Sequence, residues 1–292
     1  MSIAIRALQG KFGRVALLDM DRPLVTHAHS QCHVLLKVSG GDTFFQVKDQ
    51  VYPLTDDTAV LVNTWEQHSY AHQAQEGPRT TILALYIEPL WLGEIEGGMI
   101  SSGHPGFFQK TCVELPNRIR SLSNRLAMEM LYGDDIGDAH LQVQLSNLMI
   151  AVIDTFSEWR SINALSRNAV NTTHDHRIRR AVSFMRNNMG GELNIDQIAA
   201  EACLSRAHFF KLFLQCTNLT PSLYYNVLRM NLAFAGLAQT QLPMLALSES
   251  LGFSAQSHFT RFFQQHAGVN PSHYRKIVDV HYAGGLLNIT ST

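Results

Sequence analysis

Sliding the C-terminal part of this chain on itself by 50 residues superposes His208 on His258, Phe209 on Phe259, Phe213 on Phe263, Gln215 on Gln265, Pro221 on Pro271, Ser222 on Ser272 and Tyr224 on Tyr274. Seven identities in the seventeen positions 208–224 mark two copies of one supersecondary unit. In the first copy Asn194 is placed to cap a short helix over 195–202, Cys203-Leu204 makes a turn, and Ser205 caps a second helix over about 206–215. In the second, Pro243 fits the first turn of a helix ending near Ser250, Leu251-Gly252-Phe253 turns the chain, and Ser254 is expected to cap a helix over 255–266. Each copy therefore reads as a helix-turn-helix.

Small Ala199 and Ser248 allow the paired helices to approach, while Phe209, Leu212 and Phe213, and again Phe259, Phe262 and Phe263, mark the inward side of each second helix. The opposite side presents Arg206, Ala207, Phe210 and Lys211 in one copy and Gln256, Ser257, His258 and Arg261 in the other. These include side chains that reach base edges and phosphates in a major groove. Charge agrees with that reading. The whole chain has 23 basic and 24 acidic residues, but from His174 onward ten basic residues face six acidic ones, leaving +4 there and −5 before it.

The segment 193–274 resembles the double helix-turn-helix domain of the AraC/XylS transcriptional regulators, through the run 252–263 (GFSAQSHFTRFF) and the closing run 268–275 (GVNPSHYR). The resemblance implies that the two second helices, joined by a long helix over about 223–239, enter successive major grooves of double-stranded DNA, and that RNA polymerase is a partner. The connecting helix departs from the family in being unusually apolar, with Gly236 inside it, so its exposed face is a candidate partner surface. Asn218 replaces the usual Gly before the first Pro and tolerates a positive φ.

Before this segment, apolar runs at 15–20, 33–38, 43–47, 58–62 and 80–87 are separated by turn residues and read as strands of a small β-barrel. Helices are expected over 117–132 and 138–159. In the second of these Leu141, Leu145, Leu148, Met149, Val152 and Phe156 form one apolar stripe, which either packs on the barrel or serves as a dimer seam. His27, His29 and His33 lie at even spacing, on one face of an extended strand, and His68 follows. The pattern resembles a degenerate cupin motif, without its carboxylate. No cofactor is required by any motif, but neutral imidazoles are able to hold a transition metal. A barrel mouth formed by these histidines with Leu35, Phe45 and Trp65 is the expected pocket for a small effector.

The expected fold is thus α+β and multidomain: a cupin-like effector and dimerisation domain over 1–165 (barrel about 10–90, helices about 117–159), a linker at 166–175, and an all-α DNA-binding domain over 176–292. Four scattered cysteines and the absence of an 18-residue apolar run fit a reduced, cytoplasmic protein with no membrane partner. No Walker loop, G-x-S-x-G or dinucleotide fingerprint occurs, so no enzyme is expected. The leading reading is a homodimeric, effector-controlled regulator of promoter DNA. Its alternatives are a regulator controlled by a protein partner and a metal-dependent cupin enzyme fused to a DNA reader.

Overall fold

The computed structural model describes residues 2–71, 79–133, 136–159, 175–191 and 194–281. Strands β1 (Ile3–Gly10), β2 (Gly13–Met20), β3 (Cys32–Gly40), β6 (Thr58–Val62), β8 (Thr80–Ile87), β9 (Cys112–Glu114) and β10 (Val278–His281) form one sheet in the order β10-β1-β2-β8-β3-β6-β9. A second sheet, β5-β4-β7, joins β4 (Thr43–Val47), β5 (Gln50–Leu54) and β7 (His68–Tyr70).

The apolar runs that read as strands are nearly continuous because the large sheet is buried on both faces. Side chains alternate between two cores: Val34 and Leu36 of β3 point one way and Leu35 the other, as do Leu83 and Leu85 against Ala84 on β8. One face meets the small sheet through Leu35, Val60 and Val62 against Phe45, Val47 and Tyr70. The other face is covered by helices α2 (Asn117–Tyr132) and α3 (Asp138–Phe156), which follow α1 (Pro89–Ile95) and a short 3-10 turn.

Two expectations change here. The strands do not close into one hydrogen-bonded barrel; they form two facing sheets, because β4, β5 and β7 pair only with one another. The stripe Leu141, Leu145, Leu148, Met149 and Val152 is at most 1% exposed and, with partly buried Phe156, packs into the core shared with the chain's own sheet. That face is not available as a dimer seam.

The helical part comprises α4 (His176–Asn187), α5 (Ile195–Glu201), α6 (Arg206–Thr217), α7 (Pro221–Gln239), α8 (Met244–Ser250), α9 (Gln256–Ala267) and α10 (Pro271–Ile277). Residues 166–174 of the expected linker lie outside the described residues; Asp175 itself caps α4, accepting from the Arg177 backbone N–H. The two parts dock extensively. Strand β10 pairs in parallel with β1, from Ala7 opposite Val278 to Gly10 opposite His281. One apolar cluster also runs from Ala7, Ala16 and Leu18 of the sheet through Met230 and Ala233 of α7 to Phe259 and Phe263 of α9. The apolar face of α7 is therefore used within the chain. Gly236 faces α8 closely: a Cβ there would lie 2.5 Å from Leu247 Cδ1, so a larger residue requires that leucine side chain to shift.

Candidate nucleic-acid interface and interdomain pocket

Helices α5 and α6 form the first helix-turn-helix, α8 and α9 the second. The turns share geometry through backbone bonds from Leu204 N to Ala199 O and Phe253 N to Ser248 O, both five residues back. Cys203 (φ 55°) and Gly252 (φ 74°) occupy the same left-handed position, and their separation is 49 residues, one less than the helix repeat. The second copy thus carries one extra residue between turn and helix. Its consequence is at the cap. Ser205 accepts from His208 N as expected, but Ala255 occupies the cap of α9, and Ser254 Oγ hydrogen-bonds His258 Nδ1 at 3.0 Å instead. Asn218 adopts φ 57° and ends α6 in the left-handed conformation.

Phe209, Phe213, Phe259 and Phe263 are fully buried, which turns the other faces outward. Arg206, Ala207 and Lys211 of α6, and Gln256, Ser257, His258 and Arg261 of α9, are exposed; Phe210 is half-buried. Arg206 Nη1 pairs with Asp196 Oδ2 at 2.8 Å, a restraint the sequence reading did not anticipate. Lys211 and Arg261 have no ion-pair partner among the described residues.

The expected effector pocket is only partly assembled. Leu35 and Phe45 belong to the filled core between the sheets, and Trp65 stacks on Tyr224 of α7 instead of lining a barrel mouth. A cavity of about 250 Å³ opens between the two parts of the chain, lined by Arg14, His27, His29, Tyr86 and Glu88 on one side and Asn226, Met230, Asn231, Phe234 and His266 on the other. Arg14 is held between aromatic faces, 3.7 Å from the Tyr86 centroid and 3.8 Å from that of Phe234. It has no carboxylate partner among the described residues. Arg14, Tyr86 and the α7 residues were missed because their juxtaposition depends on docking, which leaves no local signal.

All four predicted histidines meet beside this cavity. His27 and His68 form an isolated antiparallel bridge, each backbone N–H donating to the other's carbonyl at 2.9 Å. His29 and His33 rings lie 4.7 Å apart, and His33 stacks on Tyr86 at 4.1 Å. Burial, reinforced by the neighbouring imidazoles, holds His27, His29 and His33 well below the usual range, and burial pushes His68 down to about 4. The rings are neutral at physiological pH.

A sheet-rich N-terminal part docked to a tandem helix-turn-helix defines a two-part class of helix-turn-helix protein. Residues 198–277 match the family model described as "Helix-turn-helix domain". An uncharacterized HTH-type transcriptional regulator of Haemophilus influenzae is 25% identical over 156 residues, 53% of this chain and 52% of that protein. The chain thus spans about half the length of that relative. The probable transcriptional regulator LumQ of Photobacterium leiognathi is 22% identical over 88% of this chain and 94% of its own length. In fold, ToxT of Vibrio cholerae with bound unsaturated fatty acid superposes with a TM-score of 0.52 at 12% identity, over 95% of each chain. Residues 198–277 thus form a helix-turn-helix domain of AraC type, and the relatives that match this chain are HTH-type transcriptional regulators. Among the described residues no helix is long and apolar enough to cross a membrane.

Proposed function

We propose that this chain is a cytoplasmic, sequence-specific regulator of transcription that places α6 and α9 in successive major grooves of promoter DNA. The observation that carries the reading is the duplicated motif, whose two second helices bury phenylalanines on one side and expose Lys211, Gln256, His258 and Arg261 on the other. Copy two would read bases more directly. In copy one Phe210 is apolar and Arg206 is engaged by Asp196, so shape and phosphate contacts dominate there.

The cavity between the parts is the proposed effector site. A small molecule with an anionic group for Arg14 and an apolar body against Met230 and Phe234 would bind one docking arrangement better than another, and would shift the population accordingly. ToxT holds an unsaturated fatty acid on the same fold, which supports a small-molecule effector here. A homodimer engaging two half-sites would gain affinity by making the second contact intramolecular. Since the α3 stripe is covered, the dimer surface would involve the outer face of α2 and α3, where Met128, Tyr132 and Val143 are exposed. RNA polymerase is the proposed partner at the promoter, and no catalytic activity is proposed.

The test is binding of the full-length protein to its own upstream DNA and to scrambled DNA. Arg261→Ala should cost specific binding ~1–3 kcal/mol, whereas Lys211→Ala should weaken both DNAs alike and reduce the salt slope by about one. Unchanged affinity in both variants would overturn the reading.

A further inference from the structure

The His27, His29 and His68 rings are each oriented by the backbone. Their Nδ1 atoms lie 2.9 Å from Val25 O, 3.0 Å from Gln31 O and 2.8 Å from Glu66 O. A carbonyl oxygen only accepts, so each Nδ1 carries its ring's hydrogen and donates it, which leaves each Nε2 as a bare lone pair. Imidazoles that bind metal through one nitrogen commonly have the other N–H held in this way.

These lone pairs lack enough donors. His29 Nε2 and His68 Nε2 lie 3.0 Å and 3.3 Å from one atom, His33 Nδ1, which carries at most one hydrogen. Among the described residues no donor reaches His27 Nε2, and buried His33 Nε2 has no partner. If the His33 hydrogen is on Nδ1, its Nε2 is an unsatisfied acceptor; if on Nε2, three lone pairs face one another around Nδ1. Either choice leaves a conflict among buried polar atoms, and a cation taking the His29 and His68 lone pairs removes the crowding of lone pairs around His33 Nδ1.

We propose that His27, His29 and His68 bind one divalent first-row transition-metal ion through their Nε2 atoms. One nitrogen from each residue lies within 4.8 Å of the others. Zinc–imidazole bonds of about 2.0–2.1 Å place ligand nitrogens roughly 3.3 Å apart, so modest ring rotation, easiest for half-buried His27, closes the set. An all-imidazole donor set selects zinc, cobalt, nickel or copper over magnesium or calcium. His33 Nδ1 flanks two of the ligand atoms.

The ion would also tie the site to the DNA reader. The segment carrying His27 and His29 donates from Val25 N to Gln265 O of α9 at 3.2 Å, and His29 O accepts from Trp65 N, whose side chain stacks on Tyr224. The site itself is defined without DNA, so its test stands apart from the proposed regulatory function.

The test is titration of the untagged, chelator-treated full-length protein with Co²⁺, read by ligand-field absorption, by elemental analysis after gel filtration and by the thermal midpoint. One Co²⁺ per chain, displaced by Zn²⁺ and raising the midpoint in a metal-dependent manner, is expected. His27→Gln should lose the absorption bands, and the exposed-site control His104→Gln should retain them. Substoichiometric Co²⁺ on the unaltered chain, or equal binding by His27→Gln, would overturn the proposal. Should His27→Gln fail to fold, the unaltered chain decides: a midpoint rise with Co²⁺ that chelator reverses and Mg²⁺ does not reproduce supports the site, and no such rise overturns it.

Discussion

Trp65 and Tyr224 lie face to face, with ring centroids 5.1 Å apart and planes within 7°, an aromatic pair by which the sheet-rich part holds the start of the connecting helix in addition to the apolar cluster around Met230 and Ala233. Trp65 holds this position with φ 61°, in the left-handed region that side chains other than glycine seldom adopt.

Replacing Trp65 by Ala should loosen that grip at a cost of about 1–3 kcal/mol, combining partial burial with the ~0.5–1.5 kcal/mol typical of an aromatic pair. Because Trp91 and Trp159 are buried in the other core, the Trp65 emission should respond first in a urea titration of the unaltered protein. Simultaneous response of all three would count against separable docking.

The two left-handed turn positions should answer oppositely to substitution. Cys203→Gly removes a backbone penalty of ~1 kcal/mol and should stabilise by somewhat less, since glycine also loosens the unfolded chain. Gly252→Ala should destabilise by more than about 1 kcal/mol, because its Cβ would lie 2.7 Å from Gly191 O and at 3.0 Å from Arg229 Nη2. Chemical denaturation midpoints of both variants provide the comparison.

Arg6 Nε contacts Asp279 Oδ2 at 2.8 Å across the β1–β10 pair, and the Arg6 side chain also donates to Gly133 O. Asp279 is nearly half exposed, so the ion pair contributes only about 1 kcal/mol. Asp279→Arg should nevertheless lower stability by more than that, through like-charge contact, and Arg6→Asp combined with Asp279→Arg should recover part of the loss. A double-mutant cycle measures the coupling.

Hydrogen bonds from the Arg177 side chain and backbone hold the Asp175 carboxyl well below the ordinary carboxylate range. A depressed native value stabilises the fold above the unfolded value of about 3.9, and that contribution disappears as pH falls through the native value. Asp175→Asn keeps a capping oxygen without the charge. The gap in urea midpoint between it and the unaltered protein should therefore narrow from pH 6 toward pH 2; a constant gap would refute the assignment.

The tandem motif was legible because its signals are local: caps at Asn194 and Ser205, a turn glycine at Gly252, and phenylalanines at helical spacing. The even spacing of His27, His29 and His33 likewise marked a cluster, although the even-step argument assumed an extended strand, whereas His27 sits in a single bridge and His29 in a loop. What remained hidden depends on distant pairing. Nothing within Val278–His281 announces a strand, since its partner β1 lies at the other end of the sequence. Nor does the α3 stripe state what covers it; either a sheet or a second subunit satisfies the same periodicity.

The β1–β10 ladder has a consequence for biogenesis. As the ribosome extrudes the chain, β1 emerges before both helix-turn-helix units, yet the strand that completes its outer edge is made only after them. Throughout translation that edge offers unpaired backbone groups to any neighbouring nascent chain. Sealing by β10 gives a chain halted before Val278 an open sheet edge, a feature by which incompletely synthesised copies could be distinguished from finished ones.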